Sequence, residues 1–322
     1  MKICLISPAT NDLYNGNRAT TDRWFGILNQ SAHQVIVAQE YDGQACNVMI
    51  ALHAWRSAKS IREFKIHQPQ SALVVAMTGT DLYDHIHVHT EARRSLDLAD
   101  RLVLLQSEGI SELPDSVRHK VRVIYQSATA NVAKVRKPTE WFDVCVIGHM
   151  RDVKDPFRAA AAARLLPAAS RVRILHVGKA LDEEMSDRAQ REMRENRRYH
   201  WLGEKGSTEC RSVLASSRAL VLSSKAEGGA NVISESIVSG VPVIASRISG
   251  TVGLLGNDYP GMYPVGDGRA LCDLLNRAEN DTDFLHDLAR RCAERKALFD
   301  PAVEAEAWQE LLAELAPVPH YN

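Results

Sequence analysis

Short, continuous apolar runs alternate with longer amphipathic stretches along the whole of this 322-residue chain. Residues 3–7, 34–38, 48–52, 73–77, 101–105 and 121–125 read as strands, and 20–29, 53–64 and 90–99 between them as helices. A strand that is apolar at every position, not at every second one, is buried on both faces, which is the mark of a parallel sheet with helices on either side. Parallel neighbours also need a crossover between them, and the amphipathic stretches supply it. The expected fold class is α/β.

The rhythm breaks between Ser127 and Trp141, where a linker is expected, and a second series follows at 142–147, 173–177, 200–203, 219–223, 241–245 and 262–265. The reading is two Rossmann-like parallel-sheet domains, 1–137 and 141–300, facing across a cleft. Ligands of such sheets collect beyond the carboxyl ends of the strands, so the site is expected between the domains. Trp308, Leu311, Leu312 and Leu315 make one stripe of a last helix within 301–316, expected to pack back on the first domain, and 317–319 reads as a frayed tail.

Composition removes several function classes. With 39 basic and 40 acidic side chains there is no net field to draw nucleic acid or an anionic membrane. No run is long enough for a signal core or a bilayer span, and six cysteines without Cys-x-x-Cys spacing fit a reducing compartment, so a cytoplasmic location is expected. His85, His87 and His89 alternate, but spacing fixes no carboxylate or cysteine beside them. They read as surface histidines, or as binders of an anionic co-substrate when protonated; no metal and no cofactor is expected.

The chemistry concentrates in Glu227-Gly228-Gly229-Ala230-Asn231-Val232-Ile233-Ser234-Glu235. The glycine pair lets backbone approach a ligand closely, Asn231 is placed to cap the helix that follows, and the first amides of that helix favour phosphate oxygens. Glu235, four residues past Asn231, shares its helical face and can accept from paired hydroxyls. Gly240 is placed to stop the helix and Pro242 to open the next strand. Arg151 and Lys154 follow the strand at 142–147, where two cations can neutralise a diphosphate; the alternative is an exposed turn in which Arg151 pairs with Asp152 or Asp155. In the first domain Gly16 and Asn17 precede a helix at Thr20, with Arg18 and Arg23 adding charge, and Thr78, Thr80 and Asp81 follow the strand at 73–77 as candidates to line the cleft.

Taken in this order, these parts resemble the GT-B glycosyltransferases that carry a Glu-x7-Glu motif. The resemblance implies that Glu235 binds ribose hydroxyls, that Glu227 and the backbone of Gly228, Gly229, Ala230 and Asn231 contact hexose and phosphate, and that Lys154 meets the diphosphate. The chain departs from the family pattern twice. Gly148-His149 stands where Gly-Arg is usual, so Arg151 would do the arginine's work from a shifted position. Thr78-Gly79 stands where His-Gly is usual, so an acceptor needs either another base or a nucleophile that is already ionised.

More narrowly, 142–158, 224–232 and 245–261 resemble the selenosugar synthases of bacterial selenoneine biosynthesis. That resemblance implies a UDP-sugar donor (UDP-N-acetylglucosamine or UDP-glucose), selenophosphate as acceptor, a C–Se bond at the anomeric carbon, and release of UDP and phosphate. Lys154, Arg151 and Glu227 would carry the reaction, with Arg18, Arg23 and Arg247 as an anion clamp. An ordinary hexosyltransferase acting on an alcohol, and a catalytically idle sugar-nucleotide sensor, are the alternatives; Lys154 and Arg151 argue against the second of these.

Overall fold

A computed structural model describes residues 1–8, 16–129, 137 and 139–316; the loop ahead of Gly16, most of the expected linker and the 317–319 tail lie outside the described residues. The chain divides into two units, one of Met1–Gln126 together with the chain from Pro301 onward, the other of Ser127–Asp300.

The first unit carries β1 (Lys2–Ile6), β2 (Gln34–Ala38), β3 (Val48–Leu52), β4 (Ala72–Met77), β5 (Arg101–Leu104) and β6 (Val121–Val123), in the order β2-β1-β3-β4-β5-β6. The second carries β7 (Phe142–Ile147), β8 (Val172–Val177), β9 (Tyr199–Trp201), β10 (Ala219–Leu222), β11 (Val243–Ser246) and β12 (Met262–Tyr263), in the order β12-β11-β10-β7-β8-β9. Every pairing is parallel, and the fold class is the α/β expected from sequence. Each residue of β3 and of β10 is buried, which is why these runs are apolar without alternation.

Strand order locates the ligand-binding edges. The chain leaves β1 toward β2 but the neighbouring β3 toward β4 on the other side, and likewise leaves β7 toward β8 but the neighbouring β10 toward β11. Loops that diverge this way open a crevice at the carboxyl edge of the sheet. It falls between β1 and β3 in the first unit, and between β7 and β10 in the second.

Three boundaries differ from the sequence reading for identifiable reasons. The first helix spans Gly16–Gln30, so Gly16 and Asn17 lie in its first turn and not in a loop ahead of Thr20. The Thr20 and Thr21 hydroxyls donate one turn back to the Gly16 and Asn17 carbonyls, at 2.9 and 2.8 Å, a bond that suits helix interiors as well as starts. The second helix starts at Ala58, because His53 sits at φ +70° and Ser57 Oγ donates to the Leu52 carbonyl at 2.6 Å, making 53–57 a turn. β11 starts at Val243, since the chain is still closing the Asn231–Val238 helix: Gly240, at φ +69°, donates to Ile237 O and Val241 to Ser236 O. That double closure is the Schellman arrangement, for which glycine is the natural residue.

The Pro301–Glu314 helix is fastened within the first unit by a buried polar contact. Trp24 Nε1 donates to Glu304 Oε1 at 2.8 Å, Arg23 Nε lies 4.0 Å from the other carboxylate oxygen, and Glu304 is only 1% exposed. Trp308 meets Trp24 edge to face with centroids 4.7 Å apart. Glu304→Ala strands the indole N–H away from water, so it is expected to cost on the order of 1–3 kcal/mol. The check is the urea midpoint followed by tryptophan fluorescence, with Glu304→Gln, which keeps an acceptor, recovering part of the loss.

Candidate functional site

The site in the second unit is built from loops that leave β7 and β10, neighbours in the sheet. Beyond β7 the chain is laid against the loop after β8. Gly148 N donates to Val177 O at 2.9 Å, Met150 N to Lys179 O at 2.9 Å, and Lys179 N to His149 Nδ1 at 3.1 Å. A tight helical turn, Asp152–Lys154, then ends at Asp155 in the left-handed region, φ +44°.

Hydroxyls staple that turn to the loop after β10. Ser223 Oγ donates to the Lys154 and Asp155 carbonyls at 3.1 and 2.9 Å, and Lys225 N donates to Val153 O at 2.8 Å. Lys154 Nζ thereby reaches Glu227 Oε1 in a short ion pair, and Ser224 Oγ donates to the same oxygen at 2.6 Å. The Lys154 side chain is 34% exposed and that of Glu227 11%, so the ammonium faces solvent more than its partner does. Ser246 Oγ donates to Ser224 O, tying in β11. From the Ser249–Leu255 helix, Gly250 approaches so closely that a Cβ there would lie 2.0 Å from the Glu227 carbonyl oxygen.

The Gly228-Gly229-Ala230 turn leads into the Asn231–Val238 helix. Asn231 is the first helical residue, and Ala230 holds the cap position with no side-chain bond, which corrects the capping role expected for Asn231. The glycine turn delivers the chain already helical at 231, and Ile233 N donates back to the Ala230 carbonyl at 2.8 Å. Glu235 lies half-buried on the face it shares with Asn231. Arg151 is exposed just ahead of the Asp152–Lys154 turn, and Asp155 is paired with Arg158 at 2.7 Å.

The other sequence-chosen residues are placed differently. The Arg247 guanidinium donates to the Asn257 carbonyl at 3.0 Å and also to its side chain, so it is used in bracing its own unit. In the first unit Arg18 pairs with Asp22 at 3.0 Å along the helix that holds Gly16, Asn17 and Arg23. Thr78 is half-buried at the end of β4, but Asp81 is fully buried. Its carboxylate accepts the amides of Ala54, Thr78 and Gly79 at 3.1, 3.1 and 2.9 Å, so Asp81 shapes the turn where sequence had it lining the cleft. His85 and His89 share a helical face against Trp55, with ring centroids 4.5 Å from it in both cases, and His87 faces Glu112 at 3.9 Å. Among the described residues no cluster of His, Cys, Asp and Glu is arranged to hold a metal, and no helix is long and apolar enough to cross a membrane.

A family described as glycosyl transferases group 1 matches residues 127–297, which contain Lys154, Glu227, Glu235 and the loops that hold them. The chain belongs to that family. Its fold is shared with HepE from Anabaena, solved with UDP and glucose, at 18% identity and TM-score 0.76 over 98% of this chain and 100% of that one. The same protein solved with UDP-glucose gives 17% identity and TM-score 0.77 over 98% and 100%. Sucrose-phosphate synthase from Thermosynechococcus elongatus gives 16% identity and TM-score 0.76 over 98% of both chains. The fold is thus GT-B. No curated protein matches the sequence.

Sequence reasoning missed Ser223, Ser224, Gly250 and His176. The serines and the glycine act through neighbours remote in sequence, and no local spacing announces them. His176, on β8, lines a recess of about 20 Å³ with Gly148, His149, Lys154 and Ser224. Burial pushes its imidazole down to about 4, and Tyr199 Oη lies 2.8 Å from Nδ1. The unfolded chain takes up this proton near 6.5 and the folded chain does not, so stability is lost as pH falls from 6.5 toward 4, by on the order of 3 kcal/mol in all. His176→Asn is expected to flatten that part of the melting temperature against pH. Gly250→Ala must displace the Glu227 loop; given how steeply catalysis depends on placement, turnover is expected to fall about 100-fold, measured as initial rate on the folded variant.

Proposed function

We propose that the protein is a selenosugar synthase that transfers the hexosyl group of UDP-N-acetylglucosamine or UDP-glucose to selenophosphate. The observation that carries the donor half is the Lys154 ammonium, held at the crevice between β7 and β10 by Glu227, which lies four residues ahead of the Asn231–Val238 helix. An ammonium fixed before the ligand arrives loses little freedom on meeting a diphosphate, and helix amides add donors for its oxygens. In this reading Lys154, with Arg151 beside it, offsets the charge that builds on departing UDP. Glu235 accepts from the ribose hydroxyls, and Glu227 has two tasks: it positions Lys154 and borders the hexose.

On the acceptor side, selenium carries the electron pair that attacks the anomeric carbon as the C–O bond to UDP breaks. UDP leaves with the bonding pair, and water later cleaves the P–Se bond to give phosphate and the selenol. Nothing has to deprotonate selenophosphate selenium at neutral pH, which agrees with Thr78 standing where relatives are expected to carry histidine. One structural relative, HepE, crystallised with UDP and glucose and with UDP-glucose, supports a uridine diphosphate donor.

The test is to incubate the purified protein with UDP-N-acetylglucosamine and selenophosphate and look by mass spectrometry for UDP and a selenium-containing hexosamine. Glycosylation of an alcohol with no selenium product would overturn the reading. Glu235→Ala is expected to raise the KM for UDP-sugar about 10- to 100-fold, the worth of a charged hydrogen bond, with a smaller effect on kcat. Lys154→Ala is expected to lower kcat by about 100-fold or more. Equal, small changes in both variants would remove both assignments.

A further inference from the structure

In the first unit the crevice between β1 and β3 is bordered by His53, the residue that follows β3. His53 holds φ +70°, a left-handed conformation that a non-glycine residue adopts only where its surroundings enforce it, and such residues gather at functional sites. Its backbone N–H donates to Ala76 O on β4 at 2.8 Å, and the ring is buried with 3% of the residue exposed.

The two ring nitrogens have distinct partners. Nδ1 accepts the Arg56 amide proton at 3.3 Å, which leaves the ring hydrogen on Nε2. Nε2 faces Thr80 Oγ1 at 3.5 Å. Asp81, whose nearer oxygen lies 3.9 Å from Nδ1, has its carboxylate taken up by three backbone amides, and the ring of His85 packs 5.2 Å away. Burial also holds the imidazole below its ordinary range, so it stays neutral at physiological pH.

We infer that His53 is a positioning residue that fixes the half-buried Thr80 hydroxyl as a hydrogen-bond donor for a small tetrahedral oxyanion, the acceptor, at the carboxyl edge of the first sheet. The chemistry follows from the tautomer. Thr80 Oγ1 accepts from Nε2–H, so its own hydrogen turns outward. His53 itself has no lone pair left to take a proton from an alcohol, because Nδ1 is engaged. A relay that ends in a donor favours an acceptor that arrives ionised. This inference rests on the proposed reaction, for which it names the acceptor-binding group.

The test compares wild type with Thr80→Val, His53→Phe and His53→Gln, measuring KM for selenophosphate and for UDP-sugar separately. Thr80→Val and His53→Phe are expected to raise the selenophosphate KM by about tenfold or more, with the UDP-sugar KM unchanged within about twofold. His53→Gln, whose amide N–H can stand in for Nε2–H, is expected to recover most of the loss, which a merely structural histidine would not predict. Thr80→Val keeps the side chain's shape, so it decides the matter even where His53→Phe does not fold; an unchanged selenophosphate KM overturns the inference. Should wild type form no selenium product, the proposed reaction fails. The oxyanion site is then read by calorimetry with inorganic phosphate in saturating UDP: weaker binding in Thr80→Val supports the site, and equal binding, including none, overturns it.

Discussion

The parallel pairing of β7 with β10 is the constraint on which the rest of the second unit's site depends. Parallel neighbours release their chains at the same edge, so the loops that follow them are side by side although Lys154 and Glu227 are 73 residues apart. Once the loops are adjacent, local chemistry fixes the geometry. Ser223 clamps the carbonyls of the Asp152–Lys154 turn, Ser224 orients Glu227, and Ser246 holds Ser224 from the next strand. The ion pair is the product of this stapling more than its cause. A pair this accessible contributes at most about 1 kcal/mol, less than the hydroxyl bonds that surround it are worth together.

What the sequence revealed follows from which interactions are local. The strands were legible because a doubly covered parallel strand is apolar at consecutive positions, and Val48–Leu52 needs no partner to announce that it is buried. The end of the Asn231–Val238 helix was legible because Gly240 serves a backbone requirement set within six residues. Asn231 misled because asparagine is a good cap only if the chain enters the helix there, and the Gly228-Gly229 turn enters one residue earlier. Asp81 misled for another reason. A carboxylate that accepts three amides and one that faces a ligand are the same letter at the same strand end. Ser223, Ser224 and Gly250 gave no sign because what they touch is supplied by tertiary structure alone. His53 sits in an amphipathic, helix-like stretch of sequence, and its left-handed backbone is set by the turn that Ser57 closes onto Leu52.

Two carboxylates of the first unit are buried in a related way. Glu304 is 1% exposed yet donated to by the Trp24 indole, and Asp81, with no exposed surface, is ringed by amides. Asp81 is thus satisfied by neutral amides, with His53 Nδ1 at 3.9 Å, whereas Glu304 combines the indole N–H with Arg23 at 4.0 Å. Burying a charge is costly unless its lone pairs are occupied, and amide or indole N–H groups do this without requiring a second buried ion. The consequence is directional. A carboxylate so committed is a good anchor for the turn around it.

That commitment bears on mechanism. A glycosyl transfer to an alcohol calls for a group able to take a proton, and that group must have a lone pair facing the acceptor. At the carboxyl edge of the first sheet Asp81 is engaged by backbone and His53 Nδ1 by the Arg56 amide, while the half-buried Thr80 and Thr78 are hydroxyls. At the carboxyl edge of the second, Glu227 already accepts from Lys154 and Ser224. Among these described residues, the candidate bases Asp81, His53 and Glu227 are thus already engaged by oriented donors. Donors stabilise negative charge whether it arrives with the acceptor or develops on the leaving group, and a nucleophile that is ionised beforehand is the kind of partner for which such an arrangement is sufficient.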